Sequence, residues 1–193
     1  PNANYLAWKD TNNKLRVNEK IIKGNEFLTW LADEKSALVY DEIAKNYFII
    51  NLAQNNSALN INLLFDNLKY QKTINPRTYE LGEGVNDKTL IKKIIAHPFD
   101  KNKLILATNK SLYVLDFYKP FLEIINPGQY NLFTASGEEI FFTDSNSLYS
   151  YNLNKKESLV LLKQKNINSM EISPNNQFVA FSSDNKLMLL DRT

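Results

Sequence analysis

The chain has 193 residues, 44% of them hydrophobic, and its 23 Lys and Arg against 21 Asp and Glu leave a net charge of +2. That length and apolar share suit a folded domain with a substantial core, and no apolar run approaches the ~18 residues of a membrane-spanning helix. There is no cysteine and His97 is the single histidine. This excludes disulfides, a thiol nucleophile, Cys-ligated zinc and any metal site built on two histidines, and leaves the compartment open between cytoplasm and periplasm.

Short apolar runs alternate with polar turns from the start. NYLAW, KLRVN and KIIK (4–23) read as three strands, and EFLTWL, ALVYD, YFIINL and ALNINLLF (26–65) as four. Each run is about five residues, rich in Ile, Val, Phe, Tyr and Leu, and too short for a helix. The runs are nearly continuous rather than alternating, which suits strands covered on both faces. Residues 33–45 hold helix formers, but Trp30, Asp33 and then ALVYD match the hairpins further on. Residues 66–89, with INPR and the glycines of LGEG, read as a long connection with one extra strand over 68–74. Connections of that length are uncommon and often functional.

The second half repeats. LIKKIIAH, KLILAT, SLYVLD and FLEII (90–125) are followed by QYNLFT, EEIFFTD, SLYSYN and SLVLLK (129–163), then by INSMEIS, QFVAFSS and KLMLLD (167–191). Leu112, Leu148 and Leu187 recur at steps of 36 and 39 residues. Roughly 40 residues is the period of a four-stranded propeller blade. Each third strand closes on Asp116, Asn152 or Asp191, short polar residues able to bond the adjoining backbone and turn the chain. Pro98 and Pro174 stop the first strand of their repeats. Asp100, Asn102, Asn175 and Asn176 furnish first turns; 108–110, 144–146 and 184–185 furnish second turns. With five glycines in the chain, Asn is expected to take the left-handed conformations that tight hairpins need.

These patterns predict an all-β protein, a β-propeller or partial propeller of about 4–5 four-stranded antiparallel blades, with 1–193 as one domain. The first blade lacks its first strand and the last its fourth. The expectation is a piece of a larger propeller, or a chain that pairs with another, since open strand edges invite aggregation.

WLADEKSALVYD followed by YFIINL, and ISPNNQFVAFSSDNKLMLLD, resemble the repeats of TolB-like and WD40-like β-propellers. Two features of those repeats are missing. Leu115-Asp116, Tyr151-Asn152 and Leu190-Asp191 stand where a Trp-Asp pair is usual, and there is no Gly-His signature. A shorter likeness, carried by HPFDKNKLILAT, is to the propeller part of sortilin-type receptors. The resemblance implies a propeller scaffold.

Few residues point to chemistry. LGEGVN lacks the Lys-Ser/Thr of a phosphate loop, so no cofactor is expected. The Lys pairs of LIKKIIAH and NLNKKES form no stripe with aromatics beside them, which argues against nucleic acid. His97 before Pro98 reads as a structural turn residue rather than a catalyst. Asp33, Asp41, Glu42, Asp100 and Asp144 are the carboxylates available to a glycoside hydrolase, where paired carboxylates act as acid and base. Asp33 and Asp100 fall in equivalent first turns, as Asp144 and Asp184 do in second turns, and this equivalence favours a structural role. Trp8, Trp30, Tyr113, Tyr149 and Tyr151 are expected in the core. Tyr70, Arg77 and Tyr79, in the long connection, are residue types that serve at interfaces. The reading that follows is a non-catalytic scaffold binding a protein partner, which could be the rest of a longer chain or another subunit. The alternatives are a carboxylate-based hydrolase or small-ligand propeller, and a propeller gating a separate catalytic domain.

Overall fold

The computed structural model describes residues 5–12, 14–17, 20–54, 57–69, 89–127, 130, 132–144 and 146–192. These form five antiparallel sheets in chain order. The first holds β1 (Ala7–Lys9), β2 (Leu15–Val17) and β3 (Lys20–Ile21). The second holds β4 (Glu26–Trp30), β5 (Ser36–Asp41), β6 (Asn46–Asn51) and β7 (Ser57–Asn60), followed by helix α1 (Ile61–Lys69). The third holds β8 (Ile91–Ala96), β9 (Lys103–Thr108), β10 (Ser111–Asp116) and β11 (Phe121–Pro127). The fourth holds β12 (Leu132–Ser136), β13 (Glu139–Thr143), β14 (Ser147–Asn152) and β15 (Glu157–Lys163). The fifth holds β16 (Ile167–Ile172), β17 (Phe178–Ser183) and β18 (Lys186–Asp191).

Every sheet is an up-and-down meander, and each packs face to face on the next. Leu15 and Val17 of the first sheet meet Ala37, Val39, Phe48 and Ile50 of the second. Leu38 and Ile49 meet Leu104, Leu106, Tyr113 and Leu115 of the third. Ile105 and Leu112 meet Ile140, Phe142 and Tyr151 of the fourth. Phe141 and Leu148 meet Val179 and Phe181 of the fifth. The central strands alternate between these two interfaces, so both faces are apolar; this is the physical origin of the continuous apolar runs. Register shifts recur in the first strand of three sheets, at Phe27/Thr29, Ile91/Lys93 and Ile167/Ser169.

The turns use the chemistry their composition promises. Asn51, Asp116 and Asn152 close equivalent strands, and each Oδ1 accepts two backbone N–H groups, from Ala53 and Gln54, Tyr118 and Lys119, and Asn154 and Lys155. Asp184 and Asn185 both have φ near +50 to +61°, the pattern of a two-residue I′ hairpin. Asn166 and Asn176 also take left-handed backbone, but so do Glu34, Lys45 and Lys156, so Asn is not the sole substitute for glycine.

Two expectations are corrected. ALNINLLF is not one strand: β7 ends at Asn60 and a helix begins at Ile61. Asn60 caps it, its Oδ1 accepting the Leu63 N–H at 3.0 Å. Ile61, Phe65 and Leu68 then fall on one side at helical spacing and sink into the interface between the second and third sheets. The extra strand over 68–74 is likewise replaced at its start, since Leu68 is helical; residues 70–74 lie outside the described residues.

Candidate functional site

The first strands β4, β8, β12 and β16 approach one another across sheets, β4 meeting β8 and β12 meeting β16. Lys93 joins β8 to β12: its Nζ donates to the Phe133 carbonyl at 3.2 Å and lies 5.0 Å from the Phe133 ring centre. Three adjoining hollows run along these strands. One, of about 410 Å³, is lined by Tyr5, Trp30, Glu34, Ala96, His97 and Pro98 among others. The second, about 420 Å³, shares Ala96 and Pro98 with it and adds Thr29, Lys93 and Thr134. The third, about 330 Å³, continues past Lys93 to Lys92, Glu26, Tyr40 and Tyr47. Together they make one groove along the first strands.

Its first end is aromatic and acidic. Trp30 closes β4 and is held by Phe27 and Tyr5, with ring centres 5.0 and 6.1 Å away. Glu34 sits in the turn that follows, at φ +53°. Asp33 sets that turn: its Oδ1 accepts the N–H groups of Lys35 and Ser36, and its Oδ2 accepts the Ser36 hydroxyl. The Glu34 carboxylate has no hydrogen-bond or ion-pair partner among the described residues. Opposite stands buried His97, whose Nδ1 accepts the Asp100 N–H at 3.1 Å and whose ring meets Phe99 edge-on. The neutral imidazole therefore carries its proton on Nε2. His97 is a turn residue, as expected, and also a wall of the groove.

Burial holds the His97 pKa below its ordinary value. The unfolded chain thus takes up this proton first as pH falls. The contribution of neutral His97 to stability is full above about pH 6.5 and declines as pH drops through that value toward the lower folded one. Urea melts at about pH 7.5 and 5.5 should show a lower midpoint at the acid end. Because the chain has one histidine, His97→Gln should remove most of that difference.

Asp33, Asp41, Asp100 and Asp144 are engaged in their own turns, and Glu42 reaches across to the turn before β4. Asp41 accepts the Ile43 and Ala44 N–H groups, and Glu42 exchanges hydrogen bonds with Asn25. Asp100 accepts the Asn102 N–H and pairs with Lys103 at 2.8 Å. Asp144 accepts from the Asn146 and Ser147 backbones and from the Tyr149 hydroxyl. Among the described residues no group of three or more His, Asp or Glu is arranged to hold a metal ion. Burial raises the Tyr113 and Tyr151 phenols, the latter to about 12, so both remain neutral.

The aromatic expectations divide. Tyr113 and Tyr151 are buried, and Tyr149 stacks on Phe142 at 5.2 Å. Trp30 is a groove wall. Trp8 is corrected: it is 38% exposed, on the side of the first sheet turned away from the second. Tyr70, Arg77 and Tyr79 lie outside the described residues. Tyr5, Glu34, Lys93 and Tyr47 were not singled out by sequence. Glu34 follows the first strand of its repeat and Lys93 lies within one, but Tyr5 precedes β1 and Tyr47 stands in the third strand β6, so no shared position in the repeat marks them.

No family model and no curated protein matches the sequence. Solved structures do match its shape. The extracellular domain of a hybrid two-component system from B. thetaiotaomicron superposes at a TM-score of 0.63 and 10% identity, over 98% of this chain and 26% of that one. TolB from Acinetobacter baumannii gives 0.57 at 17%, over 98% and 49%. A chain of a mitotic checkpoint complex gives 0.57 at 12%, over 99% and 60%. The present chain spans between a quarter and three fifths of those chains. The fold is that of a β-propeller. Among the described residues no helix is long and apolar enough to cross a membrane.

Proposed function

We propose that residues 1–193 act as one non-catalytic propeller unit that binds a protein partner along the first-strand groove. The observation that supports this is the aromatic and acidic end of the groove, where Trp30, Tyr5 and the unengaged Glu34 carboxylate surround a hollow of about 410 Å³. A lysine or arginine side chain suits such a site, its cation resting on an aromatic face and its charge met by the carboxylate. The engagement of the five candidate carboxylates in turns supports a binding rather than a hydrolytic role. In this reading the connection 66–89 provides a second contact through Tyr70, Arg77 and Tyr79. Its first residues, 66–69, are the last turn of α1, which packs beside β6 and β11, and its last, Thr89, is buried ahead of β8.

The test is an array of otherwise uncharged peptides each carrying one Lys or Arg, with norleucine counterparts as controls. Retention of the cationic peptides is expected, weakened about tenfold or more by Trp30→Ala and by Glu34→Lys, roughly 1.4 kcal/mol. Equal retention of the norleucine series would reject the site.

A further inference from the structure

We infer that the groove takes an extended segment of its protein partner bearing a basic side chain and, four residues away, an acidic one seated on Lys93. The inference rests on the cation site proposed at Trp30 and Glu34, and adds the order of charges along the groove. Among the described residues, Glu34 is the single charged side chain lining the first hollow and Lys93 the single one lining the second. These two hollows adjoin through Ala96 and Pro98. Past Lys93, the third hollow adds Lys92 and Glu26, one charge of each sign. The sign along the groove is therefore set by Glu34 at its end and Lys93 in its middle. A partner that matches both carries a base and an acid at a fixed separation.

Lys93 is able to receive that acid. It is exposed, and its ammonium has three donors. One goes to the Phe133 carbonyl and the charge rests over the Phe133 ring. Neither contact neutralises it, and no Asp or Glu among the described residues pairs with it. The hold on β12 also fixes where Nζ sits, which lowers the cost of ordering the side chain when an anion binds. The separation is read along β8. His97, just past the end of β8, walls the first hollow, and Lys93 stands four residues before it. At roughly 3.3 Å per residue that is about 13 Å. An extended segment has the same rise, so a base in the first hollow brings the residue four positions away beside Lys93. A helical segment would need about nine residues for the same distance. The Lys93 charge also repels a second cation there, so one base with a distant acid suits the groove better than a run of bases.

The experiment measures binding of labelled peptides by fluorescence anisotropy. Each has one Lys on Thr spacers, which disfavour helix; further series add a Glu one, four or eight residues away, on either side. Glu at four, on one side, should tighten binding about three- to fivefold over Lys alone, the scale of an exposed ion pair. Glu at one or eight should give no such gain. Lys93→Met keeps the aliphatic stem on Phe133 and removes the charge. In that variant the gain should vanish while the Lys-only peptide binds as before. Lys93→Glu should instead favour a second Lys at four. Circular dichroism checks that both variants fold, and the spacing series on the unaltered chain decides the matter without them. If Lys peptides outbind their norleucine counterparts but Glu at four adds nothing, this proposal falls and the cation site stands. If no binding depends on the Lys, both fall. A gain that survives Lys93→Met overturns the proposal, and so does a folded Lys93→Met chain that loses the Lys-only peptide, which would make Lys93 a tie between β8 and β12 and no more.

Discussion

Replacing Phe65 with Ala is expected to cost about 3–5 kcal/mol, the range for an aromatic ring removed from a packed interior. Phe65 is 1% exposed, and its ring meets Tyr113 edge-on at 5.5 Å. It is the centre of an apolar stripe with Ile61 and Leu68, both buried between the second and third sheets. The helix is also stitched to β6, since Asn62 Oδ1 accepts the Tyr47 N–H at 2.8 Å. Truncating the ring leaves a void that helix, β6 and β11 would all have to shrink to fill. Asn60→Ala, by contrast, should cost only about 1 kcal/mol, because it removes one capping bond at an exposed end. Urea unfolding of the two variants checks the ranking. A Phe65→Ala cost no larger than that of Asn60→Ala would show that the helix rides on the sheets without closing their interface.

That helix also shows how far the sequence could be read. The blades were legible because strands covered on both faces leave an unusual signature: brief, unbroken apolar runs ending on Asp or Asn at a spacing near 40 residues. Asp116 and Asn152 bond the adjoining backbone as that signature required, and Asn51, which the sequence did not single out, does the same. ALNINLLF misled because a short apolar run does not declare its own period. One discriminating residue lay just beyond it, where Leu68 completes an i, i+4, i+7 series from Ile61; the other, the capping Asn60, stood inside the run. The groove was harder to see. Trp30 and His97 are visible as residue types, but Tyr5, Glu34 and Lys93 become neighbours only when separate repeats are stacked, and nothing local marks them. Trp8 was misplaced for a related reason. Its strand reads like an internal one, yet it lies on the side of the first sheet that no described sheet covers.

Phe141→Ala should produce a loss of similar size, about 3–5 kcal/mol, and should loosen the fifth sheet selectively. Phe141 is fully buried in β13 and faces Val179 and Phe181. Over its ring, 5.0 Å from the centre, lies the guanidinium of Arg192. Arg192 is placed there by two parallel bonds to Glu139, both at 3.0 Å, and by donation to the Asn176 carbonyl at 2.7 Å. The fourth and fifth sheets are thus clamped by an aromatic contact and an ion pair that share one side chain. Sharing makes the two non-additive: removing the ring frees the guanidinium to move, and removing the guanidinium exposes the ring. A double-mutant cycle of Phe141→Ala and Arg192→Met should therefore show a coupling of about 1 kcal/mol. Hydrogen exchange in Phe141→Ala should rise first in β16–β18, which make their sheet-to-sheet contacts here, and later in β8–β11. Uniform acceleration across all five sheets would mean that the stack unfolds as one unit, and zero coupling would mean that Glu139 alone holds Arg192 in place.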